Sequence, residues 1–533
     1  MSLVVNALET PLSTQARVHC LSDGSRPLTL AELGRNARQA GAWLERLAGR
    51  SGTVATLLTA SHDCLATLFG ALRCGMNLVS LPHPARGMDA EEYRAQIGAM
   101  CAVTGATHLL CDPGLTTLLS DGAVPVHPFS EWSAAKRPGG TDSPGTFVQF
   151  TSGSTGTPRG IVLSLDALDA NLTAMYDWLE PRGDAVVCSW LPLSHDMGLI
   201  GLALYAMCSV NPPWSTPSQL VLMTPESFLA DPGSWMRACT DFRATSTTSP
   251  PFALRLAARS LRSPGTFDLS SLRSFVVGSE PVPADGLREF EAVGKEYGLS
   301  PHALCPGYGM AEAALAVAIG PPTGPWSSVL LNPEALAARE WQEVAVGGTE
   351  LVSCGPPVLR TEVRTSGDTP LGELEIRSPS LLHGYVGEDS SPLTEDGWLH
   401  TADLGYVHNG EVYVAGRTDD VLIVAGRNID ARELDAVVAA HPMCRPGNAA
   451  CVPDGSGRYV VVVEPRTDEV GPADLRSGAR EIRVSLARRF GASPSAVVFI
   501  ARGTLPKTPS GKVRRNHLRM LWAGGELQEV VSA

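Results

Sequence analysis

The sequence predicts an α/β protein with a large N-terminal domain of layered α/β subdomains, a β-rich subdomain and a small α+β C-terminal domain. In the first part of the chain, helical and buried-strand patterns alternate, which is typical of layers around largely parallel sheets. After about residue 345 short alternating strands appear, and beyond Arg417 a run of strands and helices of domain size follows. A length of 533 residues also exceeds what one hydrophobic core usually serves.

The elements of the first part follow from the spacing of apolar residues. Residues 28–48 carry leucine and alanine at helical spacing and are predicted to form an amphipathic helix. Residues 52–60 and 77–84 are predicted buried strands, the second ending in a turn, with a helix over 64–75 between them. The longest uncharged apolar run, 197–210, has 14 residues, which is short for a membrane span and predicts a buried helix.

The later part is predicted from shorter patterns. The segments "EVRTSG", "GELEIRS" and "EVYVAGR" alternate like strands, and "HNGE" at 408–411 is typical of a hairpin turn. Beyond Arg417, the segments "AACVPD", "YVVVVEP" and "SAVVFIA" are predicted strands, and a helix is predicted over 472–490. Together these form the compact α+β unit.

Composition narrows the class of protein. A net charge of −13 offers no broad basic face to nucleic acid or to an anionic membrane. The twelve cysteines contain no CxxC pair and the N-terminus shows no signal-peptide pattern, so we expect a cytoplasmic protein with reduced thiols. Lysine is rare, with four residues against 38 arginines, yet Lys507 and Lys512 both lie in "LPKTPSGKVRR" at 505–515.

The most informative segment for chemistry is "VQFTSGSTGTPRG", residues 148–160. A predicted strand leads into a loop rich in glycine and hydroxyl groups, which ends in Pro-Arg-Gly before another strand. Glycines allow backbone N–H groups to turn toward an anion, and Arg159 supplies charge for phosphate oxygens. The Walker pattern GxxxxGK[ST] is absent. Composition alone leaves both an anion-binding loop and a plain surface linker open.

Six segments in sequence order resemble the signatures of one known family. They are "FTSGSTGTPRG", "SWLPLSHDMGLIG" (189–201), "VVGSEPV" (276–282), "PGYGMAEAAL" (306–315), "GWLHTADLGYVHNGEVYVAGRTDDVLIVAGRNIDARELD" (397–435) and "LPKTPSGKVRR". They cover most of the chain and resemble the adenylate-forming superfamily, which includes acyl-CoA synthetases, fatty acyl-AMP ligases and adenylation domains. The resemblance implies an N-terminal AMP- and acyl-binding domain at 1–417 and a mobile C-terminal domain at 418–533 that carries the catalytic lysine.

The resemblance also implies a reaction and its residues. A carboxylate attacks the α-phosphorus of ATP to give acyl-adenylate and pyrophosphate, and a thiol then displaces AMP. Lys512 matches the catalytic lysine, Glu312 the magnesium ligand, Asp403 the acceptor of both ribose hydroxyls, and Arg417 the arginine on ribose and phosphates. The remaining matches to nucleotide-binding positions are Thr151, Ser152, Gly153, Ser154, Thr155 and Gly156 in the phosphate loop, Gly278, Ser279, Glu280 and Pro281 beside adenine, and Gly307, Tyr308, Gly309, Met310 and Ala311 around the stacking tyrosine.

Three matches have structural alternatives. His195 matches an active-site histidine near the acyl tunnel, although a buried histidine bonded to backbone is the other interpretation. Asp419 matches the hinge about which the small domain rotates, and a capping or turn aspartate is the alternative. Arg159 stands where the family usually has lysine. The positive charge at this phosphate contact is kept, but a guanidinium group is wider than an ammonium group.

The branch that the chain resembles most is that of the fatty acyl-AMP ligases, through "WLPLSHDMGLIG", "YGMAEAAL", "VSCGPP" and "GRNIDARELD". The long run over 321–350 could hold the insertion of that branch, which is associated with poor transfer to CoA and with transfer to a carrier protein; a plain surface loop is the alternative. A full acyl-CoA synthetase is the competing hypothesis, because Gly426 leaves room for pantetheine. A non-catalytic nucleotide-binding relative is the third hypothesis.

The expected cofactors are ATP and Mg²⁺, with CoA as a further possibility. The expected partners are a hydrophobic carboxylic acid and, as acceptor, an acyl carrier protein, CoA or a separate acyltransferase, without nucleic acid or membrane. The segment 245–260 contains no acidic residue for an ammonium group, which argues against an amino-acid substrate. Pro250 and Pro251 within it favour a bulkier acid over a linear chain. Arginine-rich, lysine-poor usage hints at a GC-rich genome, where such ligases often serve natural product biosynthesis.

Overall fold

The predicted fold class is confirmed by the computed structural model, in which helices cover two large mixed sheets and several smaller sheets follow them. The structure describes residues 2–22, 24–84, 88–134, 145–150, 159–179, 185–210, 218–262, 265–367, 369–418, 421–424, 427–455, 458–507, 513–527 and 529–532.

The first large sheet has eight strands among the described residues. Their spatial order is Ala316–Ile319, Leu304–Gly309, Ser274–Val277, Ser246–Ser249, Ala185–Ser189, Ser218–Leu222, Arg17–Cys20 and Leu28–Thr29. All neighbouring pairs are parallel except the pair at each edge. Because parallel strands point the same way, the loops that leave their carboxyl ends gather along one edge of this sheet.

The second large sheet has seven described strands. Their order is Gly384–Tyr385, Gly160–Ser164, Thr146–Phe150, Asn77–Ser80, Thr53–Thr56, His108–Cys111 and Val126–Pro128. The strands Thr146–Phe150 and Gly160–Ser164 flank the glycine-rich segment and pair antiparallel, as the apolar patterns on its two sides predicted. The largest apolar core draws on both large sheets and their helices, and a separate core joins the seven-stranded sheet to helix Ala90–Thr104.

The β-rich part that the sequence predicted after residue 345 is present. Four strands form an antiparallel sheet in the order Glu362–Thr365, Gly372–Arg377, Leu399–His408 and Glu411–Arg417. At the predicted hairpin, His408 pairs with Glu411 while Asn409 and Gly410 both have positive φ values, 52° and 81°. Positive φ at both central residues is what a tight two-residue hairpin turn requires.

The segment over 321–350 is a folded element. Strand Ser328–Leu331 pairs with Thr349–Val352, and helix Pro333–Ala337 lies between them. The ring of Trp341 stacks on His408 with centroids 4.0 Å apart, and the hydroxyl of Tyr406 donates to the carbonyl of Glu340 at 3.1 Å. These contacts attach the segment to the long hairpin, so the interpretation as a loose surface loop does not hold.

The C-terminal part has cores of its own. A hairpin of Val421–Val424 and Arg427–Asp430 precedes a sheet in the order Cys444–Pro453, Tyr459–Pro465, Ala496–Ile500 and Glu529–Ser532. Every residue of Tyr459–Pro465 is buried, which explains its continuous run of valines. The two cores on the faces of this sheet draw only on residues between 422 and 527. This separation agrees with a domain boundary near 417, which remains a prediction.

The helices largely match the apolar patterns. They are Leu3–Asn6, Leu30–Ala48, His62–Arg73, Ala90–Thr104, Pro113–Leu119, Leu165–Leu179, Asp196–Gly198, Tyr205–Cys208, Pro225–Ala230, Gly233–Asp241, Pro251–Leu261, Ala284–Lys295, Pro333–Ala337, Ala431–Ala439, Pro472–Phe490 and Arg515–Gly524, with a π-helix at Leu199–Leu204 and 3₁₀ turns at Pro11–Thr14, Phe129–Ala134 and Ala311–Ala313. The predicted helix over 28–48 begins two residues later, because the side chain of Thr29 caps it in a reciprocal box with Glu32.

The apolar run 197–210 is buried, as predicted, but a π-helical turn interrupts its α-helical geometry. All twelve cysteines are free and buried, in agreement with reduced thiols. In the part of the chain that the structure describes, no helix is long and apolar enough to cross a membrane.

Candidate active site

A cleft of about 980 Å³ opens at the carboxyl edge of the eight-stranded sheet. Residues that follow two of its parallel strands, Ser274–Val277 and Leu304–Gly309, line the cleft, and so does His195, which follows a third, Ala185–Ser189. Gln149 and Phe150, at the end of a strand of the other large sheet, line the opposite side. The two sheets therefore bring together segments that lie far apart in the sequence.

All the described members of the predicted site line this one cleft. They are Arg159, His195, Gly278, Ser279, Glu280, Pro281, Gly307, Tyr308, Gly309, Met310, Ala311, Glu312, Asp403 and Arg417. The phosphate-loop positions Thr151, Ser152, Gly153, Ser154, Thr155 and Gly156, together with Asp419, Gly426 and Lys512, lie outside the described residues.

Tyr308, Asp403 and Arg417 form a polar group on one wall. The hydroxyl of Tyr308 donates to Oδ2 of Asp403 at 2.7 Å, and Nε of Arg417 lies 3.4 Å from Oδ1. Burial, followed by the Asp403 charge, raises the pKa of Tyr308 well above its usual range, so its hydroxyl stays protonated and remains a donor. The Tyr308 hydroxyl thus donates a hydrogen bond that orients the Asp403 carboxylate, and the Arg417 guanidinium adds positive charge beside it.

The strand ends beside this group approach each other closely. A β-carbon on Gly278 would lie 2.7 Å from the carbonyl oxygen of Gly307 on the neighbouring strand, so glycine is required there. Ser279, the next residue, has φ of 69°, a left-handed conformation that costs a non-glycine residue energy. Such strain is found where the surrounding structure imposes a particular loop shape.

Glu312 lies on the same wall and is half-buried. Burial raises the pKa of its carboxyl group, and the hydroxyl of Tyr385, which donates to Oε1 at 3.2 Å, offsets part of this shift. The guanidinium of Arg159 lies 3.6 Å from the centroid of the Tyr385 ring and donates to Glu388 at 2.8 and 3.0 Å. Tyr385 thereby links the arginine at the end of the phosphate loop to the candidate metal ligand.

The short segment 382–385, called the strap below, fixes the position of Tyr385. Gly384 and Tyr385 pair with the strand Gly160–Ser164, and the amide of Leu382 donates to the carbonyl of Glu312 at 2.7 Å. Sequence reasoning missed Tyr385 and Glu388, because nothing in "HGYVGED" marks a tyrosine whose partners are more than 70 residues away in the chain.

His195 lies at the start of the buried helical run. Its Nδ1 is 2.6 Å from Oδ1 of Asp196 and 3.4 Å from the amide nitrogen of Met197. The amide of Met197 donates both to Nδ1 of His195 and, at 2.7 Å, to Oδ1 of Asp196. This amide is a backbone partner of the ring, as the alternative interpretation expects, but the side chain is 28% exposed and lines the cleft. The active-site role of His195 stays a prediction.

Gln149 is a further cleft residue that sequence reasoning left unused. It is 3% exposed, and its Nε2 donates to the carbonyl of Ser194 at 3.3 Å. Its Oε1 is buried and makes no hydrogen bond in the part of the chain that the structure describes. A polar residue inside the apolar strand "TFVQF" was the signal that could have identified it.

The deeper part of the cleft is apolar. Its lining includes Met175, Leu179, Met197, Gly201, Leu202, Tyr205, Val276, Leu315 and Ile319. The hydroxyls of Ser246 and Ser274 form a hydrogen bond with each other at 2.8 Å, so these polar groups are satisfied within an otherwise apolar wall. Pro250 and Pro251 do not line the cleft. They stand at the start of helix Pro251–Leu261, so the preference for a bulkier acid gains no contact from them and stays a prediction.

The C-terminal part closes one side of the cleft. Arg432, Glu433 and Ala436 of one helix and Val513, Arg515 and Asn516 near the last helix contribute to the lining. Arg515 is fixed by Asp435, whose Oδ2 lies 2.5 Å from the guanidinium. Lys507 donates to the carbonyl of Gly447 at 2.7 Å, and burial lowers the pKa of its ammonium group.

No group of three or more histidine, cysteine, aspartate or glutamate side chains that could hold a metal ion occurs among the described residues. A single half-buried carboxylate with a raised pKa, such as Glu312, does fit Mg²⁺, which keeps most of its oxygen ligands from water and nucleotide phosphates.

Comparison with known proteins places this cleft in context. Residues 8–386 match the sequence family described as AMP-binding enzyme. The long-chain-fatty-acid–AMP ligase FadD26 of Mycobacterium bovis is 30% identical over 517 residues, which cover 88% of this chain and 87% of that protein. The medium-chain-fatty-acid–[acyl-carrier-protein] ligase JamA of Moorena producens is 26% identical over 548 residues, covering 94% of this chain and 91% of that protein.

A solved structure from a study of fatty acyl-adenylate ligases from E. coli and L. pneumophila has the same fold. It superposes with a TM-score of 0.89 and covers 99% of this chain and 98% of its own, at 23% sequence identity. The small C-terminal domain of the predicted fold is part of that match.

Proposed function

The chain belongs to the family of AMP-binding enzymes, and we propose that it is an ATP- and Mg²⁺-dependent ligase that converts a hydrophobic carboxylic acid to its acyl-adenylate and passes the acyl group to a carrier-protein thiol. Membership makes it an adenylate-forming ligase. The observation that carries the proposal is the convergence of every described candidate residue on one cleft, whose lining also includes a set of apolar side chains.

The polar end is the proposed nucleotide site. The carboxylate of Asp403, oriented by Tyr308 and Arg417, accepts both hydroxyls of the ribose, because two acceptor oxygens suit a vicinal diol. The strained loop at Gly278–Pro281 forms the edge of the adenine pocket, and the Tyr308 ring stacks on the base. The phosphates then extend toward Arg159 and the segment 151–156 before it.

Glu312 is the proposed ligand for magnesium. Its charge is poorly compensated by the protein, since burial raises its pKa and Tyr385 is its hydrogen-bond donor. When bound, Mg²⁺ would neutralise phosphate charge and orient the triphosphate. The chain's own part is to hold the Glu312 carboxylate at the phosphate side of the cleft, through Tyr385 and the strap that carries it.

The apolar end is the proposed acyl site. Methionine, leucine, isoleucine and valine side chains line it, together with the ring of Tyr205. At Gly201 a β-carbon would lie 2.7 Å from Cδ2 of Leu315, so the helix can approach this wall only without a side chain. The substrate class supported by these contacts is a carboxylic acid with a flexible apolar chain, like those in the names of FadD26 and JamA.

In the first half-reaction a carboxylate oxygen of the acid attacks the α-phosphorus, the bond to the bridging oxygen breaks, and pyrophosphate leaves. We assign to Lys512 the charge that bridges the carboxylate and the α-phosphate, because a compact ammonium can follow charge as it develops. Arg159 contributes charge at the phosphates once they displace Glu388 from it. His195 lines the same cleft, and we assign it a place beside the acyl group.

In the second half-reaction a thiol sulfur attacks the acyl carbonyl and AMP leaves. The segment over 321–350 is folded against the long hairpin. We infer that it is the insertion that the family resemblance implies, which favours a carrier protein over CoA as acceptor. Rotation of the C-terminal domain about Asp419 would exchange the residues that face the cleft between the two steps. Pantetheine passage near Gly426 to give acyl-CoA is the alternative.

Mass spectrometry of the products tests the proposal. The enzyme is incubated with ATP, Mg²⁺ and a panel of medium-chain, long-chain and cyclic acids, with and without CoA. We expect acyl-AMP that CoA does not convert. Lys512→Ala should lower adenylate formation by about two to three orders of magnitude while ATP still binds. Lys295→Ala, an exposed lysine at the end of a helix, is the matched control.

The outcomes separate the hypotheses. Conversion to acyl-CoA would identify an acyl-CoA synthetase and remove the carrier-protein acceptor from the proposal. Adenylation by Lys512→Ala at the wild-type rate would refute the role of this lysine. Absence of acyl-AMP with every acid would support a non-catalytic relative.

A further inference from the structure

One helix of the C-terminal part presents an unusual charged surface. Helix Pro472–Phe490 buries Leu475, Ile482 and Leu486 against its sheet. Its opposite face is exposed and carries Arg476, Arg480, Arg488 and Arg489, with Val484, 47% exposed, among them. We call these five residues the arginine face.

These arginines are distinguished by being gathered on one helix. Six other exposed arginines pair with a carboxylate, namely Arg237, Arg255, Arg262, Arg288, Arg364 and Arg377. Others, such as Arg35, Arg259 and Arg519, form no ion pair among the described residues, but each lies on a different helix. Within the described residues, the four arginines of the arginine face form no ion pair. Of the two acidic residues on the same helix, Glu481 is engaged with His441 at 3.2 Å and Asp474 lies in the first turn.

The C-terminal part and the whole chain differ in the sign of their net charge. Residues 418–533 contain 16 lysines and arginines against 13 aspartates and glutamates, whereas the full chain contains 42 against 55. A cationic unit is thus attached to a strongly anionic protein. Four unpaired arginines on one face repel each other, and a surface that served only solubility would not require them.

The arginine face is also close to the cleft. Its helix packs beside Ala431–Ala439 in the same apolar core, on one face of the C-terminal sheet. The neighbouring helix contributes Arg432, Glu433 and Ala436 to the cleft lining. Packed helices lie about 8–10 Å apart, so a protein bound to the arginine face would sit one helix away from the adenylate.

We propose that the arginine face is the docking surface for an acidic carrier-protein domain, whose thiol arm then reaches the cleft. The inference rests on the proposed function, in which a carrier thiol accepts the acyl group. Guanidinium groups bind carboxylates in a planar two-pronged geometry and guide an acidic partner before contact. Val484 offers an apolar contact at the centre of the charged ring.

The test uses the full enzyme and a purified acidic acyl carrier protein in its holo form as probe. The double variant Arg480→Glu/Arg488→Glu is compared with wild type. We expect its kcat/KM for the carrier to fall about 10-fold or more, because charge reversal slows the encounter of oppositely charged surfaces. Acyl-AMP formation should not change. Raising the salt concentration should slow carrier acylation by wild type and affect the variant less.

Arg259→Glu is the matched control, since Arg259 is an exposed arginine in the last turn of a helix of the N-terminal part. It should acylate the carrier at the wild-type rate. Equal carrier acylation by the double variant and wild type, with normal acyl-AMP, would overturn the docking surface alone. A wild-type enzyme that forms no acyl-AMP would instead count against the proposed function.

Discussion

The hydrogen bond from Tyr308 to Asp403 gives the sharpest test of the nucleotide site. Tyr308→Phe keeps the ring that is proposed to stack on adenine and removes only the hydroxyl. Asp403 then keeps the contact with Nε of Arg417, which at 3.4 Å is longer than the lost one at 2.7 Å. The carboxylate loses the donor that most strictly sets its direction, so we expect weaker capture of the ribose hydroxyls.

The size of the expected loss in kcat/KM for ATP follows from the energy of a hydrogen bond to a charged acceptor. A hydrogen bond to a charged acceptor contributes about 1.5–3 kcal/mol. If this energy orients Asp403 for the ribose, its loss lowers kcat/KM for ATP by about 10- to 150-fold, since about 1.4 kcal/mol is a factor of ten. Burial keeps the Tyr308 hydroxyl protonated, so the loss should be the same from pH 6 to pH 9.

Pyrophosphate release measured at varied ATP and saturating acid provides the assay. Tyr406→Phe is the matched control, because it removes another buried tyrosine hydroxyl, bonded to the Glu340 carbonyl away from the cleft. It should leave the ATP dependence unchanged. A Tyr308→Phe enzyme whose kcat/KM for ATP matches wild type would show that Asp403 does not depend on this bond or does not bind the ribose.

Two further predictions concern the same wall. Gly278→Ala should lower the melting temperature and weaken ATP binding, because its β-carbon would lie 2.7 Å from a backbone carbonyl oxygen, an overpacking that costs about 1–3 kcal/mol. Gly114→Ala is the control in calorimetry, because a β-carbon there would have nothing within 4 Å. An unchanged melting temperature of Gly278→Ala would refute the close approach. ATP with Mg²⁺ should stabilise the wild-type protein against heat more than ATP with EDTA does. Glu312→Gln should lose this difference and keep the stabilisation by ATP with EDTA. If the variant keeps the magnesium effect, the metal binds elsewhere.

Elements with strong local signals were predictable from the sequence. The helix Pro472–Phe490 has the predicted bounds, because a proline can begin a helix and Gly491 ends it in the left-handed conformation. The hairpin at 408–411 formed because Asn-Gly permits two positive φ values in succession. The π-helical turn at Leu199–Leu204 was not predictable, since it arises from tertiary packing of a run that is apolar on all sides.

Some residues of the candidate site were predictable from the sequence, and others were not. Asp403 and Glu312 stand in motifs whose spacing the sequence shows, and the strand order brings them to one cleft. Tyr385 belongs to no such motif here, and its partners Glu312 and Arg159 lie far away in the chain. Contacts of this kind depend on how the two large sheets meet, which local patterns do not encode.

The arginine at position 159, a departure from the usual lysine, has a physical explanation in these contacts. Its planar guanidinium stacks on the Tyr385 ring and binds both oxygens of Glu388 at the same time. An ammonium group lacks the flat surface that the stacking on Tyr385 uses. At position 512 the proposed role is different, because a point charge must move between two oxygens as a bond forms. On that proposal, a compact ammonium suits position 512 for its mobility, whereas a planar guanidinium suits position 159 for its stacking on Tyr385.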